Sequence, residues 1–157
     1  MGSSTDYSAL ARMEIMNNSK TVAIVGASDN PARASYFVST YLLSTSHFQL
    51  FFVNPRLETL FGHKVYRSLS EIPVSVDIVD VFRKVEDIPG VLDEAIAIKS
   101  QTFWMQLGIS DEISAKRGVA AGLHVIQNRC LKIEHARFHG GLHLAGFNTG
   151  VISSRRN

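Results

Sequence analysis

The chain has 157 residues, 45% of them hydrophobic and 19% charged, which describes one globular domain long enough to bury a sizeable core. Its 16 Lys and Arg against 14 Asp and Glu leave a formal charge of +2, too small for a nucleic-acid binder that draws its affinity from a basic surface. No apolar run approaches the roughly 18 residues of a membrane span, residues 1–6 lack the apolar centre of a signal peptide, and the single Cys130 excludes an internal disulfide framework, so a cytoplasmic protein is expected.

The chain opens on Met1-Gly2, close to a myristoylation motif, but Asp6 stands where that motif wants Ser or Thr. Ala9, Leu10, Met13 and Met16 repeat at helical spacing, with Asp6 as the candidate cap, and Asn17-Asn18-Ser19 ends the helix. Residues 21–25 form a continuous β-branched run, as in a strand buried on both faces. Ala34, Phe37, Val38, Tyr41 and Leu42 mark a helix. Strands are expected at 48–53, briefly at 64–66, and again at 76–82. Val91, Leu92, Ala95 and Ile96 mark a helix with Pro89 near its first turn. A strand at 102–107 precedes a helix over 111–121, with Ser110 as candidate N-cap and Gly122 as the stop. A last strand at 124–127 closes the pattern.

This alternation predicts a doubly wound, Rossmann-like α/β fold: about five main parallel strands with helices on both faces. The chain divides into an N-terminal helical extension (1–19), the Rossmann-like domain (20–134) and a His- and Gly-rich tail (135–157). In such sheets a ligand lies outside the carboxyl ends of the strands, so the site is sought after residues 25, 53, 82, 106 and 127.

The first strand ends in Gly26-Ala27-Ser28-Asp29-Asn30-Pro31. A glycine there lets the backbone approach a ligand, and the next helix points free N–H groups at the same spot. Ser28 adds a hydroxyl and Arg33 a positive charge, which together suit a diphosphate. The full G-x-G-x-x-G is missing, and an ordinary capped turn is the competing reading. The second strand ends in Asn54-Pro55-Arg56, where an NAD site would place Asp or Glu for the ribose hydroxyls. Arg56 would instead attract a ribose phosphate. That leaves coenzyme A or NADP, unless Arg56 is a solvated loop charge.

Asp77 and Asp80 are unusual within an apolar strand, because an unpartnered buried carboxylate is costly. Asp77 is expected to be exposed at the strand start, and Asp80 to accept backbone N–H bonds or to pair with Arg83. Phe82 and Arg83 stand where an adenine could stack and a phosphate could rest. Gln106, beside Gly108, offers hydrogen bonds to pantetheine amides or satisfies local backbone.

Taken together, Gly-Ala-Ser, Asn-Pro, Val-Asp-Val-Phe-Arg, Gln-Leu-Gly and Asn-Arg-Cys resemble, in order and spacing, the small stand-alone CoA-binding proteins. Those are similar to the CoA-binding domain of the succinyl-CoA synthetase alpha subunit, and the likeness spans residues 20–134. The resemblance implies that Gly26, Ala27, Ser28 and Arg33 surround the phosphates and that Pro55 and Arg56 meet the adenosine. It places Phe82 and Arg83 at the next crossing and Gln106 and Gly108 at the far wall. The synthetase's phosphohistidine domain and ATP-grasp partner have no counterpart here, so ligase chemistry does not transfer.

Cys130 follows the last strand on the ligand side, where Arg129 would favour a thiolate capable of a mixed disulfide with the CoA thiol. The competing reading is a buried structural cysteine. His135, His139 and His143 recur every four residues, but Gly140-Gly141 interrupts the helix and no carboxylate joins them. The segment reads as a surface that packs on the domain, or on a second copy in a homodimer, rather than as a metal site. The closing residues 153–157 read as a loose end. The leading function is CoA or acyl-CoA binding without catalysis of its own. The alternatives are an NADP-dependent oxidoreductase, for which no Tyr-x-x-x-Lys proton donor is present, and a degenerate domain serving as an oligomeric scaffold.

Overall fold

The computed structural model describes residues 7–139. Asp6, His143 and the closing residues 153–157 lie outside them. Seven strands form one sheet: β1 (Thr21–Val25), β2 (Gln49–Val53), β3 (Thr59–Leu60), β4 (His63–Tyr66), β5 (Ile78–Val81), β6 (Thr102–Met105) and β7 (His124–Ile126). Five helices accompany them: α1 (Ala9–Asn18), α2 (Ala34–Thr45), α3 (Ile88–Ala97), α4 (Glu112–Ala120) and α5 (Leu131–His139). None of the described helices is long and apolar enough to cross a membrane.

The spatial order is β3-β4-β2-β1-β5-β6-β7. All neighbours run parallel except β3, which pairs antiparallel with β4. Counting parallel strands alone, the order is third, second, first, fourth, fifth, sixth, that of the dinucleotide-binding fold. The sheet is therefore larger than the expected five main strands. Beyond those five stand β4, the short strand expected at 64–66, and β3, which pairs with it as an edge hairpin.

Alternation along the buried strands sorts the core into two layers. Ala23, Val25, Val79, Val81, Phe103 and Met105 pack with Leu92 and Ala95 of α3 and Ala115 of α4. Val22, Ile24, Ile78 and Trp104 pack on the other face with Met16 of α1, Val38 and Leu42 of α2 and Leu131 of α5. Register fixes the partners: Ile24 lies opposite both Phe52 and Asp80, and Asp80 opposite Trp104.

Two caps differ from expectation. Helix α1 begins after Ser8, whose Oγ accepts the Ala11 N–H at 3.1 Å. Helix α4 begins after Asp111, one residue beyond Ser110. Its stop is as expected: Gly122 takes φ +96°, its N–H reaches the Val119 carbonyl at 2.9 Å, and that of Leu123 reaches Gly118 at 3.0 Å. These are the two bonds of a Schellman motif. Helix α5 runs through residue 134, so His135 belongs to a helix of the domain; His135 is buried and bonded to the Tyr41 hydroxyl at 2.9 Å. Helix α1 is anchored on the same element, the Arg12 guanidinium donating to Glu134 Oε1 at 2.7 Å with both side chains buried.

Candidate functional site

After β1 the chain runs out to β2 and the edge hairpin, then returns to β5 on the other side of β1. The carboxyl ends of β1 and β5 therefore flank the switch point, where such folds place a ligand.

Gly26 lies there with φ +90°. A Cβ on it would stand 2.9 Å from the Phe82 carbonyl oxygen and 3.1 Å from Arg83 Cδ. No other residue fits, because both the conformation and the space demand glycine. The loops after β1 and β5 are thus in contact, and Gly26, Phe82 and Arg83 are brought together.

The turn that follows is built from short polar side chains. The Gly26 and Ala27 N–H groups both donate to the Val53 carbonyl, at 3.1 and 3.2 Å. Ser28 Oγ accepts the Asn30 N–H and Asn30 Oδ1 accepts the Ala32 N–H, each at 3.0 Å. Asn54, given no role by sequence reasoning, ties two loops together. Its Nδ2 donates to the Ala27 carbonyl and its Oδ1 accepts the Arg56 N–H, both at 2.7 Å. An Asn before Pro is a turn signal that could have found it. Pro55 and Arg56 stand exposed beyond it.

Helix α2 opens above this turn. Its N-cap is Arg33, which supplies no side-chain cap, and its first turn holds no acid. Free N–H groups, the positive end of the dipole and an uncompensated cation together favour an anion. The donor set at this helix start is cationic and backbone N–H, the chemistry that suits a diphosphate.

The remaining expected residues take other positions. Arg83 pairs with Asp87 at 2.9 Å, not with Asp80. Asp80 is fully buried between Ile24 and Trp104, and neither carboxylate oxygen has a hydrogen-bond partner among the described residues. The backbone N–H bonds expected for it are absent because its side chain points into the α2 layer rather than past the strand end. Burial pushes its carboxyl well above the usual carboxylate range. Asp77, by contrast, is half-buried and accepts the Lys20 and Thr21 N–H groups at 2.7 and 3.2 Å.

Gln106 is buried, and its Oε1 accepts the Leu131 N–H at 3.0 Å, capping α5. The Gly108 N–H donates to Asn128 Oδ1 at 2.7 Å, which locks the loop after β6 to the loop after β7. Cys130 is 9% exposed and packs in the α2 layer of the core. Among the described residues no cluster of His, Cys, Asp and Glu is placed to hold a metal ion.

Known proteins resemble this chain in sequence and fold. A family model described as a CoA binding domain matches residues 20–136. The uncharacterized protein YneT of Bacillus subtilis (strain 168) is 37% identical over 123 residues, covering 78% of this chain and 90% of its own length. A hypothetical protein from Pyrococcus horikoshii OT3 superposes with a TM-score of 0.81 at 32% identity, over 85% of this chain and 93% of that one. The structure of cell-free ID.343 from Thermus thermophilus superposes with a TM-score of 0.79, also at 32% identity, over 83% and 98%.

Proposed function

This chain belongs to the CoA-binding domain family, and on that premise we propose that it binds coenzyme A or an acyl-CoA across the carboxyl ends of β1, β5 and β6, without catalysis of its own. The observation that carries the reading is the turn after β1: a position closed to any Cβ leads into an uncapped helix start with no acid. Such a start accepts a diphosphate through backbone N–H groups that need no rearrangement.

Gly26, Ala27, Ser28 and Arg33 then surround the diphosphate. Arg56, exposed beyond Asn54, meets the 3′-phosphate of the ribose. Phe82 offers a half-buried ring beside the adenosine, and the pantetheine arm leads over the end of β6 past Gly108. Because Gln106 spends its carbonyl on α5, it acts as a wall of this path. Cys130 enters the reading as a redox partner of the CoA thiol only if that loop opens, since its side chain packs inward. A cytoplasmic compartment and a homodimer accompany the proposal.

Isothermal calorimetry with CoA, dephospho-CoA, NADP and NAD tests it. CoA is expected to bind most tightly, with dephospho-CoA weaker by about tenfold or more, as for the loss of a charge-assisted contact. Tighter binding of NADP would support the oxidoreductase reading, and binding of none would support a scaffold.

A further inference from the structure

We propose that Lys132 is a diphosphate-binding residue, an inference that rests on the coenzyme A reading above and assigns a further contact within that site. The beginning of α5 is firmly held. Gln106 Oε1 accepts the Leu131 N–H at 3.0 Å, the Trp104 indole N–H donates to the Arg129 carbonyl at 2.8 Å, and the Arg129 N–H donates to Met105 at 3.3 Å. All three bonds reach the end of β6, so the first turn of α5 is fixed over the carboxyl pole of the sheet.

Lys132 lies in that turn. Its ammonium stands 5.4 Å from the centroid of the Phe37 ring and 5.6 Å from that of Tyr41. Phe37 belongs to the first turn of α2 and Tyr41 to the second. The two rings therefore hold the cation beside the amino end of α2, the end that already carries positive partial charge. A lysine is in the wrong place there for stability: acids are favoured in a first turn and cations in a last one. The same holds on its own helix.

Apart from the two rings, only Glu134 in the same turn offsets this, and it is shared. Lys132 has no carboxylate partner among the described residues. Glu134, the acid nearest in sequence, is engaged by Arg12 at 2.7 Å and Arg137 at 3.5 Å. The first turn of α2 holds no acid, and Arg33 stands at its N-cap. Lys132 and Arg33 thus both stand at helix amino ends, and the one acid of those first turns, Glu134 of α5, is already held by Arg12 and Arg137. Neither cation has a carboxylate partner of its own among the described residues, so each is open to an anion. The aromatic contacts also restrict the long lysine stem, so little further ordering is needed when a phosphate arrives.

The diphosphate is the group assigned to Lys132, because its rings belong to the first two turns of α2, whose N-cap is Arg33, while Arg56 follows β2. Lys132→Met keeps the stem length and its contact with the rings and removes the charge. We expect CoA and dephospho-CoA affinity to fall equally, by about tenfold or more, with a weaker salt dependence of binding. Lys132→Arg should restore most of the affinity. The thermal midpoint of the ligand-free Met variant should hold or rise, which a merely structural lysine would not give. Unchanged affinity, a loss confined to CoA, or failure of Arg to rescue would overturn the assignment. If Met lowers the midpoint, Lys132→Gln decides on the same affinity criterion. Wild-type protein that binds neither ligand would instead remove the coenzyme A reading itself.

Discussion

Single positions along β5 and its neighbours carry unequal constraints. At Gly26 the limit is space, set by the Phe82 carbonyl 2.9 Å from a would-be Cβ, and it follows from the approach of two strands that are distant in sequence. At Asp80 the constraint is electrostatic. A fully buried carboxyl with no partner is stable only as the neutral acid, and burial raises its pKa. Its folded-state pKa exceeds the unfolded one, near 3.9, so the folded state binds more protons. The resulting stability is complete below the unfolded pKa and is lost as pH rises through the folded one. Asp80→Asn has nearly the same shape and no charge to suppress. Its thermal midpoint should match wild type near pH 4 and exceed it increasingly toward pH 8, by a few degrees, since about 1 kcal/mol moves the midpoint of a domain this size by roughly 2–4 °C. Scanning calorimetry across that range checks it; a difference that does not grow with pH would mean that Asp80 is compensated.

Among the elements, the edge hairpin shows how tertiary contact overrides local preference. The two residues between β3 and β4, Phe61 and Gly62, both take positive φ, 52° and 78°, as a two-residue hairpin of the I′ kind requires. A phenylalanine is a poor choice for that conformation. Its ring contacts Tyr36 and Phe52, with centroids 5.0 and 5.7 Å away, and this packing offsets the strain. Helix α4 shows the converse, a glycine kept against helix propensity. A Cβ on Gly118 would stand 2.8 Å from Val125 Cγ2 and 3.3 Å from Leu92 Cδ1, and the branched valine has little room to rotate. Gly118→Ala gains about 1 kcal/mol of propensity and meets an overpacking cost of about 1–3 kcal/mol. A net loss of up to about 2 kcal/mol is expected in urea unfolding. Stabilisation would show that α4 can move off β7.

At the scale of the whole molecule, the strand order brings the β1 and β5 loops together, and a ligand across them ties both halves of the sheet. A ligand that binds only the folded state stabilises it by about 2.7 kcal/mol at a hundred times its Kd, which for this size is a rise in thermal midpoint of roughly 5–10 °C. CoA should produce this rise in differential scanning fluorimetry and NAD should not. A midpoint that ignores CoA at such a concentration would show that the ligand is held equally well by the unfolded chain, or not held at all.

The sequence by itself determined the class of fold, and with it the pole of the sheet where the site is proposed. Apolar runs such as 21–25 and the helical spacing through Leu42 report burial on two faces or one stripe, and that periodicity is local. It also placed Gly26, Ser28 and Arg56 on loops after the carboxyl ends of β1 and β2, because turn residues after a strand are local signals too. It showed β4 but not β3 or the turn between them, because the strain at Phe61 is offset by rings brought from α2 and β2. It left Asp80 between two plausible partners, because only the register with Ile24 and Trp104 turns its carboxyl into the core. Lys132 carries no motif at all. Its role comes from the bonds that seat the start of α5 on β6 and from the two rings of α2, contacts between residues about 90 positions apart or joined through a third element. Such pairings follow from the strand order, and no window of sequence contains it.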